Sequence, residues 1–314
     1  KIYNLEKKFF DKKKIKNKSV IIKANEISKS FKKFDKYANL LIDLQIDKNS
    51  EINLIGGGVI QDIGSFLSSI LFRGIKYNFY PTTLLSQADS CIGSKTSINL
   101  NKYKNLIGNF WPPKNIFIDF NFIKTLDLPS IKSGIGEMCH YFIYSDINLF
   151  VNFMSDYEKI LNNNSNIYKY IPASLKIKKN VIQKDEFDTN ERRKFNYGHT
   201  FGHALEALTD YKINHGQAVT LGMDFANYIS FKNDDISKKN YYLINGLLKK
   251  NFPLNNLDNY SLKKYISILQ KDKKNIDGML GCILLNKKLK MNLVYKKFDN
   301  KLNNLILIYF NFKK

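Results

Sequence analysis

Arg192-Arg193-Lys194-Phe195-Asn196-Tyr197-Gly198-His199-Thr200-Phe201-Gly202-His203-Ala204, followed by His215-Gly216, holds three of the four histidines in the chain, and the fourth is His140. Histidine is the commonest metal ligand and the side chain that titrates nearest neutrality. His199 and His203 stand four apart, so a helix would put them on one face. Glu137, His199 and His215 together offer a carboxylate and two imidazoles, a donor set that holds a catalytic zinc and leaves a position open. A competing pair is His199 with His203, as in helical zinc enzymes, although Thr200 occupies the position where those enzymes carry glutamate. The bland alternative is a set of hydrogen-bonded core histidines. Their confinement to residues 140–215, beside Glu137 and Arg192, favours a site.

The formal charge of +22 over 314 residues invites a nucleic-acid or membrane-surface reading. The excess is nearly all lysine, scattered among Asn and Ile; the arginines are Arg73, Arg192 and Arg193. Arginine is the residue suited to bidentate phosphate recognition, so the charge predicts neither a nucleic-acid partner nor a membrane one. Where arginine does occur it is informative. Lys95, Lys104, Lys178, Lys273, Arg73 and Arg192 provide cationic groups for a phosphate and a carboxylate, though for any single lysine a solvated surface charge is the plainer account. Hydrophobic residues at 44% and aromatics at 14% indicate a globular chain. Three widely spaced cysteines, Cys91, Cys139 and Cys282, predict a reducing, cytoplasmic setting without a disulfide framework.

The elements that must position these residues fall into two halves. Ser19–Ile22 is predicted as a short strand and residues 34–46 as a helix. Residues 52–55 read as a buried strand running into Gly56-Gly57-Gly58, with a helix over 59–72. Strand, glycine turn and helix is how a phosphate meets backbone N–H groups, although a plain tight turn has the same appearance. A strand over 76–80, a helix over 84–92 holding Asp89, and a strand over 116–119 complete an alternation that predicts a parallel, doubly wound sheet. Loops after its strands carry Asp62, Asp89, Lys95, Lys104 and Asn105. Beyond 125 the periodicity predicts helices over 131–144, 147–162, 166–184, 191–208, 214–231, 236–249 and 260–269, with a weak strand signal near 280–285. The predicted fold class is thus α/β: an N-terminal Rossmann-like parallel-sheet domain (1–125) and a C-terminal helical metal- and substrate-binding domain (126–314). Metal set, glycine turn and anion-binding groups together point to nicotinamide-linked chemistry on a phosphorylated polyol.

In this order the motifs Gly56-Gly57-Gly58-Val59-Ile60-Gln61-Asp62, Phe72-Arg73-Gly74, Pro81-Thr82-Thr83, Gly93-Ser94-Lys95-Thr96, Lys104-Asn105-Leu106-Ile107-Gly108, Gly136-Glu137, Asn196–Ala204, His215-Gly216 and Asp272-Lys273-Lys274 resemble the 3-dehydroquinate synthase family of sugar phosphate cyclases. The resemblance spans about residues 25–274. It implies an NAD-binding domain, a helical domain with Zn2+ (or Co2+), and 3-deoxy-D-arabino-heptulosonate 7-phosphate in the cleft between them. The implied reaction is transient oxidation, phosphate elimination, reduction and aldol cyclisation. Carried over, Glu137, His199 and His215 hold the metal, and Asp89, Lys95, Lys178, Arg192, Asn196, His203 and Lys273 contact substrate. Arg73, Lys104 and Asn105 surround its phosphate, while Glu26, Lys29, Gly57, Gly58, Asp62, Thr82 and Thr83 touch NAD. A homodimer is expected. Same-fold alternatives are a cyclase making another carbocycle and a metal-dependent polyol dehydrogenase; outside the class stands an inactive basic binding protein. Three departures stand out: His140 replaces the lysine of a Glu-x-x-Lys pattern, and is placed with the catalytic residues. Ser94 replaces a glycine, and the strand–helix unit that the family carries before residue 19 is missing.

Overall fold

The computed structural model describes residues 18–101, 103–163, 166–254 and 256–313. The lysine-rich start over 1–17 and Lys102 lie outside the described residues. The chain forms two compact units: one contains the residues up to Tyr80 with Ser94–Ile116, the other Pro81–Gly93 with the residues from Phe117 onward.

In the first unit, α1 (Phe34–Asp43) leads to β1 (Glu51–Gly56), and α2 (Gly58–Ile70) follows directly through Gly57. Gly64 lets α2 rest on Leu54 of β1, since a Cβ there would collide with the Leu54 side chain. Tyr37, Ile63 and Leu67 form the buried centre beneath Phe34, Leu41 and Val59. β1 lies beside β2 (Lys76–Pro81), which is next to β5 (Asn115–Ile116); β2 and β5 run parallel. Tyr77, Asn78 and Phe79 are buried in succession, the pattern of a strand covered on both faces. Asn53, Asn78 and Asn115 link the three strands through side-chain hydrogen bonds of 3.0 and 2.9 Å. A hairpin, β3 (Ile98–Leu100) with β4 (Tyr103–Ile107), was not foreseen. Nor is Ser19–Ile22 a strand: it is irregular chain that joins none of the sheets among the described residues.

The second unit is mostly helical: α3 (Leu128–Ser145), α4 (Ile147–Ser155), α5 (Tyr157–Asn163), α6 (Ile167–Ile182), α7 (His199–Leu208), α8 (His215–Lys232), α9 (Lys238–Leu248), α10 (Leu262–Leu269) and α11 (Asn300–Phe310). A continuous apolar core joins them. Two predicted helices are broken. Residues 147–162 split at Asp156, and 191–208 is a 3₁₀ segment over Glu191–Asn196, then Tyr197-Gly198, then α7. The second break is imposed by packing: Gly198 has φ +80°, and a Cβ on it would sit 2.5 Å from Met223 Cγ and 2.6 Å from the Val219 carbonyl. The helix predicted over 84–92 is a π-helical turn at Ser86–Ser90. The weak signal at 280–285 is a full strand, β6 (Leu280–Leu285), paired antiparallel with β7 (Met291–Lys296). No helix among the described residues is long and apolar enough to cross a membrane.

Candidate active site

Three helices of the second unit converge on Glu137. Asp127 caps α3, accepting from the Ser130 N–H at 2.9 Å, and Glu137 follows in the buried middle of the helix. Asn214 caps α8 in the same way, at 3.0 Å from the Gln217 N–H, which makes His215 the first residue of that helix. His199 is the first residue of α7, immediately after the left-handed Gly198. α3 and α8 meet backbone to backbone at Gly136 and Gly216, where a Cβ on either would run into the carbonyl of Gly216 or of Ser133. This contact sets Glu137 beside His215.

Glu137 Oε1 lies 3.3 Å from His199 Nε2, and Oε2 lies 3.2 Å from His215 Nε2. The other ring nitrogens are engaged: His199 Nδ1 faces the Tyr197 carbonyl at 3.2 Å, and His215 Nδ1 faces Glu206 Oε2 at 3.1 Å. A carbonyl only accepts, so His199 carries its proton on Nδ1 and turns the Nε2 lone pair toward Glu137. Two acceptors at that separation need a cation or proton between them. Donors held about 2.0–2.2 Å from one tetrahedral Zn2+ lie roughly 3.3–3.5 Å apart, close to both contacts. Imidazoles oriented through the second nitrogen by a carbonyl and a carboxylate are what metal centres use to set tautomer and basicity. The residues therefore fit a divalent cation. Two sets of three have ligand atoms all within 4.8 Å of one another, His199 with His203 and His215, and Glu137 with His140 and His199; His199 belongs to both, and Glu137 and His215 are joined by their own 3.2 Å contact. Both competing assignments stay within reach of one locus.

Electrostatics agree. Burial works against the charge of Glu137, but His199 and His140 beside it hold the carboxyl well below its ordinary 4.5. Burial likewise opposes protonation of His215, and the carboxylates of Glu206 and Glu137, one on each nitrogen, outweigh it and raise the imidazole well above 6.5. In the cation-free protein His215 thus adds stability that is full below about pH 6.5 and is lost as pH rises through its folded value. Glu137 adds stability that is present above about pH 4.5 and is lost as pH falls through its own. A cation replaces the proton on His215, so zinc should raise the melting temperature more at pH 8.5 than at pH 6. Melts of zinc-loaded and chelator-treated protein across that range check this; a gap that does not widen with pH would refute the linkage.

His140 is fully buried, with Nε2 3.0 Å from Glu137 Oε1. Beside it, Lys178 Nζ donates to Asp89 Oδ1 at 2.7 Å and to the Asp89 carbonyl at 2.8 Å. Tyr141 Oη donates to the same carboxylate oxygen, and burial, with Asp89 adding to it, pushes the phenol well above its ordinary value. Arg192 is buried, donating from Nη1 to the Glu186 carbonyl while Nη2 lies over Gly93, 3.2 Å from where a Cβ would be. Asn196 Nδ2 donates to the Arg193 carbonyl at 3.0 Å. His203 and Lys273 are exposed, Thr82 is buried and Thr83 half-buried.

Within the first unit, Lys29 Nζ lies 2.5 Å from Asp62 Oδ2 and 2.5 Å from Asn105 Oδ1. Asn99 Nδ2 donates to Glu26 Oε1 at 2.7 Å, and Lys104 is 3.9 Å from the same oxygen. Five predicted residues are thereby in one network. Gly57 and Gly58 form the start of α2. Lys95 and Arg73 are exposed, Arg73 at φ +64°. Tyr141, Glu206 and the Tyr197 carbonyl were not singled out beforehand. Tyr141 lies one turn beyond Glu137, and Glu206 is a lone acid in an apolar run, signals that could have flagged both.

The fold is shared with solved synthases. One is 2-epi-5-epi-valiolone synthase from Streptomyces hygroscopicus subsp. jinggangensis 5008, solved with NAD+ and Zn2+ bound: TM-score 0.83, 20% identity, 92% of this chain and 81% of that one covered. Another is 2-deoxy-scyllo-inosose synthase, solved with carbaglucose-6-phosphate, NAD+ and Co2+: TM-score 0.78, 22% identity, 92% and 82% covered. The model for the 3-dehydroquinate synthase N-terminal part matches residues 19–133, and that for the C-terminal part matches residues 134–275. The 3-dehydroquinate synthase of Clostridium tetani (strain Massachusetts / E88) is 37% identical over 286 residues, 90% of this chain and 73% of the relative. The chain belongs to the 3-dehydroquinate synthase family.

Proposed function

We propose that the chain acts as a 3-dehydroquinate synthase, converting 3-deoxy-D-arabino-heptulosonate 7-phosphate to 3-dehydroquinate and phosphate. The observation that carries this, beside the family, is the Glu137 carboxylate facing His199 and His215 at 3.3 and 3.2 Å with both remaining ring nitrogens held by acceptors. The chemistry supplied by the bound groups is hydride acceptance and return by NAD and Lewis-acid polarisation by Zn2+ or Co2+.

In this reading Glu137, His199 and His215 hold the cation, and Lys178 with Asp89 forms a fixed ion pair that orients a substrate hydroxyl or carboxylate. Arg192, Asn196, Lys95 and Lys273 add contacts to the substrate acid, and His203, whose imidazole is exposed, contacts the substrate as well. Arg73, Lys104 and Asn105 receive the phosphate. Glu26, Lys29, Asp62, Gly57, Gly58, Thr82 and Thr83 serve NAD, with residues up to about 125 as the cofactor domain and the remainder as the metal and substrate domain. Three free, buried cysteines support a reducing compartment, the cytoplasm, and a homodimer is the proposed assembly. The test is inorganic phosphate release from the heptulosonate phosphate. Release that needs NAD+ and stops with chelator is expected; no release with both present, or free NADH accumulating from a simple polyol, overturns the reading.

A further inference from the structure

Three imidazoles contact one carboxylate, that of Glu137, and their second nitrogens separate them into two kinds. His199 and His215 each engage an acceptor through Nδ1, the Tyr197 carbonyl and Glu206, which frees Nε2 for a cation. His140 differs. Its ring is fully buried, Nε2 lies 3.0 Å from Glu137 Oε1, and Nδ1 has no hydrogen-bond partner among the described residues.

A neutral imidazole carries one N–H. Placed on Nδ1, it would be a buried donor without an acceptor, while the Nε2 lone pair pressed against a carboxylate oxygen. Placed on Nε2, it makes a charge-assisted hydrogen bond to Glu137 and leaves only a lone pair unpaired, the milder cost. A nitrogen that holds this proton cannot also bind a cation. The sequence pattern alone does not decide the matter, because glutamate and histidine three apart on a helix are also a metal-ligand pair, and Glu137, His140 and His199 are close enough to be one.

We infer that His140 is a positioning residue for the metal centre: its Nε2–H holds Glu137 Oε1 so that the carboxylate faces His199 and His215, and His140 itself is not a ligand. The inference rests on the metal-site reading above. Its ring packing, 5.4 Å from His199 and 5.8 Å from Phe195 between centroids, fixes the donor from the sides.

The test uses cobalt-loaded full chain, wild type beside His140→Gln and His140→Phe, with cation affinity measured by chelator competition and the visible spectrum of bound Co2+ recorded. The Phe variant should bind about 10- to 100-fold more weakly, the Gln variant should recover most of the loss through its amide N–H, and the spectrum at saturation should be the same in all three. A spectrum altered in both variants without rescue by Gln would make His140 a ligand and overturn the inference. So would wild-type affinity in His140→Phe. If His140→Phe does not fold, His140→Leu takes its place. A wild-type protein that binds neither zinc nor cobalt would instead bring down the metal-site reading itself, which separates the two failures.

Discussion

Glu137→Gln is expected to abolish tight cation binding and to lower phosphate release by about three orders of magnitude, since a catalytic metal supplies several kcal/mol of transition-state stabilisation at ~1.4 kcal/mol per decade. Glu137 is the anionic member of the set and contacts three imidazoles: His140 at 3.0 Å, His199 at 3.3 Å and His215 at 3.2 Å. An amide has the same shape without the charge. Its NH₂ nitrogen does not coordinate a metal, so the cation loses its charged oxygen. The partly exposed His215 imidazolium of the cation-free protein also loses one of its two counter-charges, leaving Glu206 alone beside it. Metal content by mass spectrometry and phosphate release by a colorimetric assay read both effects. A variant that retains a full equivalent of zinc and wild-type turnover would remove Glu137 from the site.

Gly216→Val should destabilise the fold by about 3 kcal/mol or more and lower the melting temperature by roughly 10 °C, with loss of metal affinity alongside. The Gly216 Cβ position falls onto the Ser133 carbonyl, and that of Gly136 falls onto the Gly216 carbonyl with Thr220 Oγ1 at 2.7 Å. These obstacles are main-chain atoms of α3 and α8. A side chain can rotate away, but a helix backbone can only be displaced, and here displacement separates Glu137 from His215, each one residue from the contact. Gly246→Ala is the control. It lies within α9 with nothing within 4 Å of its Cβ position, so alanine should stabilise by about 0.5–1 kcal/mol through helix propensity. Equal melting temperatures for Gly216→Val and the wild type would show that the helices do not depend on this approach.

The residue types capable of chemistry were open to reading from the sequence, because four histidines confined to residues 140–215 are an anomaly visible without coordinates. So was the placement of most helices, whose apolar spacing follows from local geometry, and the strand–glycine–helix unit from Glu51 to Ile70. The family could also be read from ordered motifs. Interruptions were harder. The predicted helix over 191–208 has helical spacing throughout, and only the approach of Met223 and Val219 from α8 requires the left-handed Gly198 that ends the 3₁₀ segment and starts α7 at His199. The strand over 280–285 gave a weak signal because its six residues are all buried, without the alternation that marks a half-exposed strand.

By itself, then, the sequence determined the donor types, the helical periodicity and the membership of a family, since these depend on residue identity and near-neighbour spacing. Tertiary structure alone decided the division of labour within the site. His140 is three residues from Glu137 and His215 is 78 residues away, yet both come within about 3 Å of its carboxylate. Which nitrogen of each ring is left for a cation depends on the Tyr197 carbonyl, on Glu206, and on the absence of any partner at His140 Nδ1 among the described residues. Such choices follow from how helices distant along the chain pack at small residues, and no local pattern carries that information.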